Sequence, residues 1–84
     1  RDGAFAGYVA VPESAVYSIG DMPFSQAALI EPLACVAWGM QQVQIHRGDN
    51  VLIFGAGPMG SLMLQAVKSA GAASVVMVDK EEWR

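Results

Sequence analysis

The 84-residue chain is poor in the groups from which most catalytic and metal sites are built: it holds one cysteine, Cys35, and one histidine, His46. A single thiol excludes an internal disulfide framework and fits a reducing compartment. One Cys and one His cannot by themselves complete a zinc site, which takes three or four protein ligands. Positive charge is scarce as well. Five Lys and Arg against eight Asp and Glu leave a formal net charge of −3. The five are scattered as Arg1, Arg47, Lys68, Lys80 and Arg84, so the basic face of a nucleic-acid binder is missing. No uninterrupted apolar run reaches the roughly 20 residues of a membrane span. The longest, Val51 to Val67, is broken by Gly55, Gly57, Pro58 and Gly60. Arg1-Asp2-Gly3 leads into an alternating stretch and not into an apolar signal segment. These absences predict a soluble, cytoplasmic protein with no nucleic-acid and no membrane partner.

Hydrophobic residues make up 54% of the chain and charged residues 15%. That is apolar for a chain below the usual domain size of roughly 100–200 residues. With Arg1 and not Met at its start, the sequence is read as a segment of a longer protein. Residues 4–11 alternate, with Phe5, Gly7, Val9 and Val11 on one face, and Pro12 ends the run. Ala15 to Ile19 is a second short stretch of the same kind, so both are predicted strands. Ser25 is a candidate N-cap, with Phe24 placed to staple onto Leu29. Pro32 disfavours helix at Glu31 and favours a restart at Pro32 itself. Leu33, Val36, Ala37, Met40 and Val43 then carry an apolar stripe that Gly48 closes.

From Asn50 the pattern changes. Asn50–Phe54 and Ser74–Val78 are continuous apolar strands flanking a periodic helix through Met59, Leu62, Met63, Ala66, Val67 and Ala70, with Gly71 as its stop. This predicts a βαβ unit, parallel and covered on both faces.

The turn Gly55-Ala56-Gly57-Pro58-Met59-Gly60 sits between the first strand and the helix. Gly55 permits a tight turn, Gly57 lets backbone approach a pyrophosphate, and Gly60 allows the helix to pack closely on the strand. The helix start adds free N–H groups and partial positive charge for phosphates. Asp79 ends the next strand, 19 residues after Gly60. A carboxylate there accepts hydrogen bonds from the adenosine ribose hydroxyls and repels a 2′-phosphate, favouring NAD over NADP. No Gly-Lys-Ser/Thr follows, so a nucleotide-triphosphate P-loop is excluded. Glu31, on spacing alone, is an acid stabilising a helix start. Cys35, four residues on, shares its face and reads as a small buried hydrophobe. His46 lies about 22 Å along a helix from Glu31, too far to share a metal, and is placed in the last helical turn. Trp38 and Trp83 are read as core or interface residues.

Three blocks taken together resemble one family. Gly3-Ala4-Phe5-Ala6-Gly7-Tyr8-Val9, then Ala27 to Ala34 with Glu31-Pro32-Leu33, then Gly48 to Gly60, occur in one order that resembles zinc-dependent medium-chain dehydrogenases, most closely the sorbitol (polyol) and threonine dehydrogenase branch. The resemblance implies an α/β fragment: residues 1–23 as the last strands of a GroES-like catalytic domain, 24–49 as connecting helices, and 50–84 as the first βαβ unit of a Rossmann domain with a doubly wound parallel sheet. It implies hydride transfer between an alcohol or polyol and NAD with a catalytic zinc, in a parent that is a dimer or tetramer. It matches Glu31 to a carboxylate of the zinc sphere, Cys35 to a position near the nicotinamide, and Arg84 to an arginine at the adenosine end. Gly55, Gly57, Pro58, Met59 and Gly60 match the pyrophosphate turn. Gly7 stands where relatives often carry glutamate, and the family's other zinc ligands have no counterpart in these residues. A flavin-binding Rossmann protein, which usually places the glycine turn near its N-terminus and a glutamate at the second strand's end, is one alternative. A non-enzymatic interaction module that keeps the fold without the zinc is another.

Overall fold

The computed structural model describes residues 3–83. A 3-10 turn over Glu13–Ala15 precedes helix α1 (Phe24–Ala27), helix α2 (Ile30–Val43), strand β1 (Asn50–Phe54), helix α3 (Pro58–Ser69) and strand β2 (Ser74–Val78). The two strands form the predicted parallel pair, in register from Asn50 opposite Ser74 to Phe54 opposite Val78. α3 packs on both strands and α2 packs on α3. The buried centre is Val36 of α2, Ile53 of β1 and Val67 of α3. Small α/β segments of this kind are the opening part of a Rossmann unit.

Several local expectations give way to tertiary context. Residues 4–11 and 16–19 form no strand. Phe5 and Tyr8 are fully exposed, and an extended segment becomes a strand only when a neighbour takes its N–H and C=O groups. α2 begins at Ile30, two residues before the expected start, so Glu31 is helical. Pro32 then occupies the third helical position, where its missing N–H costs nothing because first-turn amides have no intrahelical acceptor. Ser25 is not a cap: α1 starts at Phe24 after Pro23, and Phe24 stands exposed. α2 is capped by Gln44, which takes the left-handed conformation (φ 54°) and donates its N–H to Met40 O. Gly48 (φ 90°) instead donates to Gly71 O at 2.8 Å, tying the loop before β1 to the loop before β2. His46 therefore lies beyond the helix, its N–H on Asp49 Oδ2 at 2.7 Å.

The sheet is covered on one face, not two. Val51, Ile53, Val75 and Met77 lie towards the helices, and Ile53 is buried. The alternate residues are open: Leu52 is 53% exposed, Phe54 80%, Val76 56% and Val78 45%. A continuous apolar strand is the signature of two covered faces, and these described residues supply the cover for one.

Candidate functional site

The site is built where β1 stops. The last ladder bond runs from Gly55 N–H to Val78 O at 2.7 Å. Gly55 then takes φ +105°, a region that favours glycine, and turns the chain off the strand. Gly57 is the N-cap of α3 in extended backbone (φ −74°, ψ −170°), and Pro58 is the first helical residue, where its fixed φ is pre-organised. The first bond within α3 is donated by Ser61 to Gly57 O at 2.9 Å. The amides of Met59 and Gly60 precede it and lie at the positive end of the helix dipole.

Gly60 is held against the turn itself. A Cβ at this position would overlap the Gly55 carbonyl oxygen and stand 2.9 Å from its carbon and 3.4 Å from Met77 Cε. The close helix–strand approach expected of the third glycine is therefore present.

Asp79 follows β2 directly and reaches back to the turn. Its Oδ2 accepts the Ala56 N–H at 2.7 Å, and its Oδ1 accepts the Glu81 N–H at 2.9 Å. A cavity of about 500 Å³ is bounded by Phe54, Gly55, Val78, Asp79 and Lys80. It lies beyond the carboxyl ends of two parallel strands, where ligands bind in open α/β sheets. A turn that Gly60 packs against closely, the first-turn amides of α3 and a carboxylate at the second strand's end fit a dinucleotide's pyrophosphate and ribose.

Glu31 and Cys35 form a separate pair on α2, with Cys35 Sγ donating to Glu31 Oε1 at 3.5 Å. The hydrogen bond to Glu31, and then its negative charge, push the Cys35 thiol up from its ordinary pKa. Cys35 is exposed, not the buried hydrophobe expected from spacing. It shares a cavity of about 220 Å³ with Ile53, Phe54, Met59 and Gly60, so α2 brings it to the glycine turn. Among the described residues no group of three His, Cys, Asp or Glu is arranged to hold a metal. Glu31 with Cys35 does not make a zinc site on its own. Trp38 and Trp83 are mostly exposed, so neither is a core residue here. Arg84 lies outside the described residues.

Sequence reasoning missed Ala56, Glu81 and Lys80. The first two act through backbone amides, which carry no signal in residue type. Lys80 follows Asp79 directly, and that adjacency was the available clue. Among the described residues no helix is long and apolar enough to cross a membrane.

No protein-family profile matches the chain, but curated relatives do. It is 45% identical over 88 residues to D-altritol 5-dehydrogenase of Agrobacterium fabrum, an alignment covering all of this chain and 26% of that protein. It is 42% identical to L-arabinitol 4-dehydrogenase of Talaromyces emersonii, over 99% of this chain and 21% of that protein. It is 35% identical to (R,R)-butanediol dehydrogenase of Bacillus subtilis, over 92% of this chain and 22% of that protein. The chain thus spans about a quarter of the length of the relatives it matches. Those relatives are named as dehydrogenases of polyols and a diol, and the matches cover nearly every residue of this chain. Over nearly its whole length the chain is thus homologous to a short segment of medium-chain polyol dehydrogenases.

Proposed function

We propose that this segment holds the pyrophosphate and adenosine ribose of NAD in an oxidoreductase acting on an alcohol or polyol. The observation that carries the reading is the convergence of the Gly55–Gly60 turn and Asp79 at the ends of two paired parallel strands. When bound, NAD would supply the hydride acceptor for oxidation of an alcohol carbon. The chain's own share is binding and orientation. First-turn amides of α3 face the phosphates, and Gly60 keeps the helix start close to β1. Asp79 accepts ribose hydroxyls and disfavours a 2′-phosphate by like-charge repulsion. Cys35 lines a cavity with Met59 and Gly60 beside the turn, so it would be among the residues near a bound cofactor.

Zinc belongs to the reading through the resemblance alone. Glu31 would contribute one carboxylate, and the described residues supply no further set of donors, so no step is routed through the metal. A cytoplasmic dimer or tetramer is likewise the family expectation.

The test uses the full-length protein that contains this segment. Quenching of protein fluorescence should report NADH binding at least about tenfold tighter than NADPH, a difference of about 1.4 kcal/mol. Polyol-dependent NAD reduction should follow, and chelator treatment should abolish it. Equal affinity for both dinucleotides would overturn the assignment of Asp79, and turnover that survives chelation would remove zinc. Bound yellow chromophore in place of NADH binding would move the protein to the flavin enzymes. Light scattering of the same preparation gives the oligomeric state.

A further inference from the structure

We propose that Asp79 is a positioning residue for the phosphate-binding turn as well as a reader of the ribose, so that one carboxylate couples the two halves of the dinucleotide site. The inference rests on the NAD reading above and adds a second duty to one of its residues. The β1–β2 ladder ends with Gly55 N–H on Val78 O. At Gly55 the backbone swings to φ +105°, and the next amide, Ala56, donates to the Asp79 side chain instead of to a strand carbonyl. The carboxylate thus adds one more rung, made of side chain, to a ladder whose backbone has already turned away. Its other oxygen is held by the Glu81 amide two residues on, which fixes the orientation from the opposite side. Bonds from amides to an ionised carboxylate are stronger than neutral ones.

The consequence is specific. Replacing the carboxylate by a carboxamide leaves one neutral acceptor oxygen for two amides and sets an NH2 donor against the other, so the Ala56 bond is weakened or lost and the turn populates its phosphate-ready shape less. Apparent affinity falls by the same fraction. A residue that only reads ribose affects only ligands that carry ribose hydroxyls. A residue that also sets the turn affects every ligand with a pyrophosphate.

The experiment compares NADH with a dinucleotide analogue whose adenosine ribose lacks both hydroxyls, on the full-length protein and its Asp79→Asn and Asp79→Glu variants. Asp79→Asn should weaken the analogue about tenfold, in line with loss of a charge-assisted bond, and NADH by more. Asp79→Glu, which keeps both oxygens and the charge, should restore most of the analogue's affinity. In the unmodified protein without cofactor, the Ala56 amide should exchange with deuterium at least about tenfold more slowly than an unstructured amide. If the wild type fails to bind NADH, the proposed function falls. If the wild type binds NADH but Asp79→Asn binds the analogue as tightly as wild type does, only the positioning role falls. Unprotected exchange at Ala56 also overturns the positioning role, with no variant needed.

Discussion

Gly60→Ala should damage this protein although alanine is the better helix former, and the size of the effect follows from the packing at one atom. Gly60 lies in the first turn of α3, where replacing glycine by alanine would ordinarily gain up to about 1 kcal/mol of helix propensity. Carbon atoms in contact settle about 3.5–4.0 Å apart. The new Cβ would stand 2.9 Å from the Gly55 carbonyl carbon and overlap its oxygen. Both partners are backbone, so no side chain can swing aside. The start of α3 must retreat from β1 by roughly an ångström, and overpacking of this kind costs about 1–3 kcal/mol. After the propensity gain is offset, the net loss is up to about 2 kcal/mol, with the turn displaced from its phosphate-ready shape. Gly39→Ala is the control. In α2 its Cβ would meet only Met63 Cε at 3.7 Å, an ordinary contact, so this variant should gain up to about 1 kcal/mol. Thermal midpoints and NADH titrations of the full-length protein read both variants. Gly60→Ala should melt earlier and bind NADH about tenfold more weakly, while Gly39→Ala should melt no earlier and bind normally. A Gly60→Ala protein with wild-type affinity and midpoint would refute the claim that the helix start is held by this contact.

Three further outcomes are expected. Because Glu31 raises the Cys35 thiol pKa, less thiolate is present at a given pH. In metal-free protein Glu31→Gln should therefore speed alkylation of Cys35 by iodoacetamide between pH 7 and about 8.5, and an unchanged rate would remove that coupling. Gly71→Ala forces a Cβ onto φ +98° within 3.3 Å of Arg47 Cα, so it should cost about 1–2 kcal/mol. Its NADH affinity should stay within about twofold of wild type, since the site is at the other end of the strands. Residues 1–84 produced alone should self-associate through the open face of Leu52, Phe54, Val76 and Val78. Light scattering should show Phe54→Lys with Val76→Thr reducing this, and a monodisperse species of 8.9 kDa for the unsubstituted segment would contradict it.

The order of elements from Asn50 onward, the bounds of β1 and β2, their parallel pairing and the glycine turn were legible in residue order, because each rests on local chemistry. Continuous apolar runs make the strands, a glycine at a positive φ makes the turn, and a 3.6-residue period makes the helix between them. The pairing of Glu31 with Cys35 followed likewise from a spacing of four on a helix. The parts that depend on neighbours were not legible. Alternation in residues 4–11 reads as strand, but pairing needs a partner strand that sequence pattern does not supply. Pro32 shifted the expected start of α2, since its effect depends on which helical position it occupies, and packing of the preceding residues sets that. The Ala56–Asp79 bond joins residues 23 apart through an anonymous backbone amide, so only the folded turn could place it. Local periodicity and special backbone residues thus decided what each segment becomes. The tertiary structure decided which carboxylate meets which amide and which apolar face remains open, because those depend on distances between segments that no spacing along the chain contains.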